Sequence, residues 1–370
     1  MRNFIFLSLI TLISKAQIGD SLLEQTLEIK NDTERVNQLY QKGFSLRNSD
    51  PFLSFQYADY CEKNALISGS PKHIAKSYNL LGVLYYKKGD FKKAIKYHEK
   101  ALLLRINCAD LLGKAHSYTN LGNVYSDLNL FSKAENNYLM ALQAYKDLKE
   151  PKQVAKAFIN LGVLKQQTGL PSVALEYYTH ALQIAEELND YDIRSNCLNN
   201  LAVAHFFNGD YEKAICFNQD ALKIRNLMDN NVEIADSYLN LAGNYIKLKE
   251  FKKAKSCIDT AMSISKNYDY FEGTHEALKI YSEYFSEINN FDQAYYYLKK
   301  YSAIKDSVLA LKADSDISID SNLVRNETHV DTFAGSSHKL LLLSVLVLIF
   351  IIIPFYFIRF KKKKKKVKIG

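Results

Sequence analysis

Tryptophan is absent from these 370 residues, and cysteine is scarce: there are five, an odd number, with no Cys-x-x-Cys pair. An exported disulfide scaffold is usually short and dense in cysteine, so that class does not fit and free thiols are expected. Also lacking are an HExxH zinc motif, a phosphate-binding P-loop, a GxSxG nucleophile turn and a kinase signature. The eight histidines are scattered along the chain. Metal ligands must converge, so no metal site is expected. The chain is therefore read as non-catalytic, with no cofactor. Net basic charge is missing from most of its length. Arg359, Lys361–Lys366 and Lys368 together match the whole formal net charge of +8, which leaves the remainder neutral. A body without a basic face argues against nucleic-acid binding by that part.

What is present is a repeat of forty residues. A Leu-Gly or Leu-Ala pair recurs at Leu81-Gly82, Leu121-Gly122, Leu161-Gly162, Leu201-Ala202 and Leu241-Ala242. An alanine follows twelve residues after each small residue, at Ala94, Ala134, Ala174, Ala214 and Ala254, and then at Ala294. A second alanine comes seven later, at Ala101, Ala141, Ala181, Ala221 and Ala261; in the degenerate first unit Cys61 takes this place. Phe91, Phe131, Tyr211, Phe251 and Phe291 open the second helix of a pair, and Pro171 does so once, which suits a first helical turn. Two helices approach closely only where side chains are small, so these glycines and alanines mark helix contacts. Tyr85, Tyr125 and Tyr245 fill the gaps between them. One pair cannot bury its apolar face alone, and neighbours must stack.

The landmarks Leu81, Gly82, Tyr85, Gly89, Asp90, Phe91, Ala94 and Ala101 resemble the tetratricopeptide repeat family. The usual unit there is about 34 residues, so each helix here is expected to be most of a turn longer. HEAT-type repeats share the longer period but not this Leu-Gly, Ala, Ala spacing. The expected fold is all-α: a right-handed superhelical solenoid of helix-turn-helix pairs plus one transmembrane helix. Six units run through 75–108, 115–148, 155–188, 195–228, 235–268 and 275–308, with a degenerate seventh at 34–68, all within a solenoid spanning 17–313.

The ends read differently. Residues 1–16 have a basic Arg2, an apolar run over Phe4–Ser14 and small residues before Gln17, as a signal peptide does. Residues 314–339 are polar, without period, and read as a stalk. Leu340–Ile358 is nineteen residues without a charge, enough to cross a bilayer core. Residues 359–370 form a basic tail, and positive charge marks the cytoplasmic side. The expectation is a single-pass membrane protein with exported repeats, periplasmic if the host is bacterial. Lys361–Lys366 would sit against anionic lipid head groups.

The resemblance implies that a groove is lined by the first helix of each pair. By phase the groove residues are Lys76, Asn79, His116, Asn123, Lys156, Asn196, Asn199 and Asp236. Lys76 and Lys156 are expected to be solvated and are candidates to hold a peptide carboxylate, although lysines and asparagines also make an ordinary wet face. Asn120, Asn160, Asn200 and Asn240 precede the Leu-Gly/Ala pairs. Their expected role is bonding to neighbouring backbone, ahead of a polar ladder in the groove. The function implied is a membrane-anchored extracytoplasmic scaffold for a peptide or protein segment. The alternative also rests on likeness: signal peptide, repeats, the Lys305-Asp306-Ser307 connector, one span and a basic stretch resemble the input half of bacterial membrane sensors. In that reading the cytoplasmic histidine kinase or DNA-binding output domain is missing or separate, the chain being shortened at the lysine tract.

Overall fold

The computed structural model describes residues 23–313, with side chains through Ala303. The expected signal peptide, stalk, span and basic tail lie outside the described residues. Among those described, no helix is long and apolar enough to cross a membrane, and there is no strand.

After a helical stretch at 23–27, the described residues run through fourteen helices: α1 (Asp32–Leu46), α2 (Pro51–Ser68), α3 (Pro71–Lys88), α4 (Phe91–Asn107), α5 (Leu111–Asp127), α6 (Phe131–Asp147), α7 (Pro151–Gln167), α8 (Pro171–Glu187), α9 (Tyr191–Phe207), α10 (Tyr211–Leu227), α11 (Asn231–Lys247), α12 (Phe251–Asn267), α13 (Phe271–Glu287) and α14 (Phe291–Ala313). Each packs on the helix before and the helix after it. First helices of neighbouring pairs also meet, as α1 with α3 and α11 with α13.

The sequence repeats every forty residues, but the backbone repeats every twenty. A residue with positive φ sits in every turn from Gly69 onward: Gly89, Ala109, Asn129, Lys149, Gly169, Asn189, Gly209, Asp229, Lys249, Asp269 and Asn289 follow at that spacing. Turns within a pair and turns between pairs thus share one geometry. From Gly89 onward, the amide after the left-handed residue donates back into the last helical turn, as Asp90 N to Tyr85 O and Leu130 N to Tyr125 O, both 2.9 Å. This is the Schellman closure, and it satisfies carbonyls that a helix end leaves open. Aspartates then cap the next helix from the same short turn. Asp90, Asp110 and Asp190 accept from the amides of Lys93, Gly113 and Ile193 at 3.0–3.1 Å. A seventeen-residue helix and a three-residue turn leave no slack, which fixes where each first helix faces.

The small landmarks all lie where helices touch. Gly82, Gly122 and Gly162 are buried. Ala202, Ala242, Ala94, Ala134, Ala174, Ala214, Ala254 and the second series from Ala101 to Ala261 are fully buried, and Ala294 nearly so. Cys61 is also fully buried, and burial pushes its thiol up to about 12. Each glycine faces a large ring. A Cβ at Gly82 would lie 2.5 Å from His98 Cε1, one at Gly122 2.5 Å from Tyr138 Cε1, and one at Gly162 would collide with the Tyr178 ring. The next two units replace both partners: Ala202 stands with Asn218, and Ala242 with Ile258. Where the small side gains a methyl, the large side loses a ring, so the layer keeps its volume.

Candidate functional site

The first helices α5, α7 and α9 hold up one wall each of a cavity of about 330 Å³. His116, Thr119 and Asn120 come from α5; Gln153, Lys156, Ile159 and Asn160 from α7; Asn196 and Asn200 from α9; Tyr145 reaches in from α6. These are the same two or three phases of successive repeats, so a forty-residue period projects like residues into one line. Carboxamides dominate the lining. Those of Gln153, Asn160 and Asn200 have no protein partner among the described residues. The edge is fixed: Tyr145 OH lies 2.8 Å from His116 Nδ1 and 3.1 Å from Thr119 Oγ1. Burial, and then the charge of Arg105, hold the His116 imidazole below its ordinary range and therefore neutral at pH 7. Lys156 is exposed and is the cation of the lining.

The eight expected groove residues divide. His116, Lys156 and Asn196 come together in this cavity. Lys76 does not, and it is not a solvated groove lysine. Its Nζ donates to Asn37 Oδ1 at 2.6 Å and sits 4.9 Å above the Tyr40 ring, and burial pushes its pKa down. The degenerate first pair covers it, a neighbour that phase counting within one repeat does not see. Asn123 accepts from Tyr138 OH at 2.8 Å, which ties it to the ring packed on Gly122. Asp236 accepts from Tyr270 OH at 3.0 Å, and burial raises its carboxyl.

Asn79 and Asn199 serve a device the sequence reading missed. Arg105 is buried, and its Nη1 donates to Gly113 O (2.9 Å), Ser117 Oγ (2.7 Å) and Asn79 Oδ1 (3.5 Å). Three repeats on, Arg225 Nη1 donates to Glu233 O (3.0 Å), Ser237 Oγ (2.7 Å) and Asn199 Oδ1 (3.2 Å), and its Nε pairs with Glu233 at 3.1 Å. Asn120 and Asn240 then donate to Asn79 and Asn199, both at 2.9 Å. So of the four asparagines before the Leu-Gly/Ala pairs, two tie one repeat to the last, while Asn160 and Asn200 face the cavity unbonded. The signal was in the columns. The phase of Arg105 reads Arg105, Tyr145, Ala185, Arg225, and that of Asn79 reads Asn79, Thr119, Ile159, Asn199. Asparagine accompanies arginine, threonine accompanies tyrosine, and the apolar pair sits between.

A second opening, of about 630 Å³, begins one turn further along α9 and is walled by α11 and α13. Among the described residues no three His, Cys, Asp or Glu side chains are grouped to hold a metal ion.

Comparison with known proteins agrees with this geometry. Models of the tetratricopeptide repeat match residues 73–147, 153–226 and 235–268. No curated protein sequence matches. Among solved structures, a Rap protein in complex with competence and sporulation factor is similar over 80% of this chain and 93% of its own, at 14% identity and a TM-score of 0.59. NprR in complex with its cognate peptide NprX is similar over 87% and 94%, at 18% identity and a TM-score of 0.56. Aspartyl phosphate phosphatase F from Bacillus subtilis is similar over 80% and 90%, at 14% identity and a TM-score of 0.56. Identities this low speak for fold alone. Period, helix-contact residues and matched models together make the chain a member of the tetratricopeptide repeat family.

Proposed function

We propose that the chain is a membrane-anchored, extracytoplasmic scaffold that binds a peptide or protein segment along its first helices, without catalysis. The observation that carries this reading is the line of unbonded carboxamides from Gln153 through Asn160 to Asn200. A carboxamide offers one acceptor and two donors, the complement of a peptide group, and binding an extended backbone needs no particular side chain. Lys156 supplies a partner for a carboxylate at the edge. The similarity to NprR, solved with a peptide, supports the same mode. Anchoring rests on the sequence of Leu340–Ile358 and the basic run after it, with lipid head groups as partners of Lys361–Lys366.

Two measurements test the two halves. Full-length chain in lipid nanodiscs captures peptides from a random library, and Asn160→Ala with Asn200→Ala weakens capture about tenfold through two lost hydrogen bonds. Unchanged capture removes the cavity from the function. A reporter active only outside the cytoplasm is active when fused after Lys312 and silent after Gly370; the reverse pattern overturns the topology.

A further inference from the structure

The second opening differs from the first in what it lacks. Asn218, on α10, replaces the ring that Tyr138 and Tyr178 supply in the preceding units. Gly243, on α11, stands where those units and the one between carry Asn123, Val163 and Val203. A Cβ at Gly243 would meet only Phe206 Cε2, at an ordinary 3.9 Å, so no close packing demands glycine there. Two departures from the repeat thus open one hole, about 630 Å³, walled by Val203, Phe206, Leu239 and Ile280.

Two of the residues around the hole, Asn218 and Asn244, are buried and carry polar atoms without partners in the chain. Asn218 is 1% exposed, and both its Nδ2 and its Oδ1 lack a hydrogen bond within the chain. Asn244 is 2% exposed; its Nδ2 donates to Asn240 O at 2.7 Å, but its Oδ1 is unmatched. Buried polar groups of a native protein are nearly always satisfied, so these atoms call for a partner from outside the chain, whether water or a ligand. At the rim, Glu276 and Lys279 pair at 2.7 Å, leaving Glu283 and Glu287 against Lys247. The excess is one negative charge, which disfavours a carboxylate or phosphate.

We infer that this opening is a specificity pocket for a tyrosine side chain of the bound peptide. The walls suit an aromatic ring, with Phe206 placed for edge or offset contact. A phenol hydroxyl gives one proton and takes one, matching an acceptor among Asn218 Oδ1 and Asn244 Oδ1 and the donor Asn218 Nδ2. A phenylalanine would leave all three atoms buried and unpaired. Asn200 of the amide-lined cavity and Val203 of this one are three residues apart on α9, about one helical turn. One extended peptide can therefore lie across both. The identity of the molecule that delivers the ring rests on the peptide-binding reading; the pocket's preference for a phenol does not.

The test uses free probes that need no groove. Full-length chain in lipid nanodiscs is titrated with N-acetyl-tyrosinamide, N-acetyl-phenylalaninamide and N-acetyl-glutaminamide, read by saturation-transfer NMR. The tyrosine probe is expected to bind about fivefold tighter than the phenylalanine probe. Asn218→Leu, which keeps the branched heavy-atom shape and removes the amide, should reverse that order. Gly243→Val, which restores the residue of the neighbouring units, should abolish binding of both with an unchanged melting temperature. Equal binding of the two aromatic probes, tighter binding of the glutamine probe, no binding of any, or a tyrosine preference that survives Asn218→Leu overturns the inference. Failure of the peptide-binding reading is seen separately, in library capture by the Asn160 and Asn200 variants.

Discussion

In the units that begin at α3, α5 and α7, a glycine on the first helix receives a ring from the second: His98 on Gly82, Tyr138 on Gly122, Tyr178 on Gly162. In the units at α9 and α11 the same two positions hold Ala202 with Asn218 and Ala242 with Ile258. Both solutions fill the layer at the alanine series, which is fully buried throughout. They differ in what they leave on the groove side. Where the ring is a tyrosine, its hydroxyl ends on a neighbouring amide, as Tyr138 OH on Asn123 and Tyr178 OH on Gln166. Where it is absent, Asn218 keeps its amide unpaired beside the larger opening. Ring and glycine make a closed interface; alanine and a shorter partner make an adaptable one. A repeat protein can thus hold its backbone period while using single positions for recognition.

The largest effect should come from breaking a ring-glycine contact. Gly122→Leu drives a side chain into Tyr138, and overpacking of this kind costs about 3 kcal/mol in denaturant unfolding. Pairing it with Tyr138→Ala should recover more than half of that loss, because the ring is what the leucine meets. Additive losses would mean that the two residues do not share one contact, and the comparison would fail at its first step.

A smaller effect separates the first ring from the other two. His98 is 1% exposed, and burial, with the nearby Arg105 charge, holds its imidazole down at about 3. The folded-state pKa lies below the ordinary 6.5, so between pH 6.5 and about 3 the unfolded chain takes up the proton and the folded chain does not. Stability therefore falls as pH drops through this window, by about 1.4 kcal/mol per unit, or about 2 kcal/mol between pH 6.5 and 5. His98→Tyr copies the next two units and should fit against Gly82. Melting curves of that variant should lose this part of the acid sensitivity; an identical pH slope in both proteins would show that His98 is not its source.

Much of this comparison was legible before any coordinates. The small landmarks name the helix contacts because only a small residue permits them, and that physics acts within one forty-residue unit. The rest acts between units. Gly82 gives no hint that its partner is a histidine rather than a tyrosine. Arg105 looks like any basic residue at a helix end until Asn79, Ser117 and Gly113 from two other helices surround it. The twenty-residue backbone period was hidden for a different reason: Gly89 announces a left-handed turn, whereas Ala109 and Lys149 adopt it without an enabling side chain. Phase put His116, Lys156 and Asn196 on one expected groove line with five residues that do not join them in the cavity, and it could not separate Asn160, which faces the cavity, from Asn120, which is also spent on Asn79.

Lys76 and Lys156 occupy one phase two units apart, and they offer the finest contrast between a closed and an open part of the molecule. Charge counting treats them alike. In the structure Lys76 holds Asn37 at 2.6 Å and covers Tyr40, while Lys156 is exposed at the cavity edge. Lys76→Glu therefore removes a hydrogen bond and a cation-π contact at a partly buried site, and should lower stability by about 1 kcal/mol. Lys156→Glu has no such partner to lose, and its effect on the melting temperature should be within error. On binding the order reverses. A carboxylate at 156 repels the peptide carboxylate that the lysine would hold, and capture of peptides with a free C-terminus should weaken severalfold, whereas amidated peptides should be spared. Thermal melts and capture measured on the same two variants give four numbers. Equal melting losses would make Lys156 a packing residue, and equal loss for free and amidated peptides would leave its charge without a role in recognition.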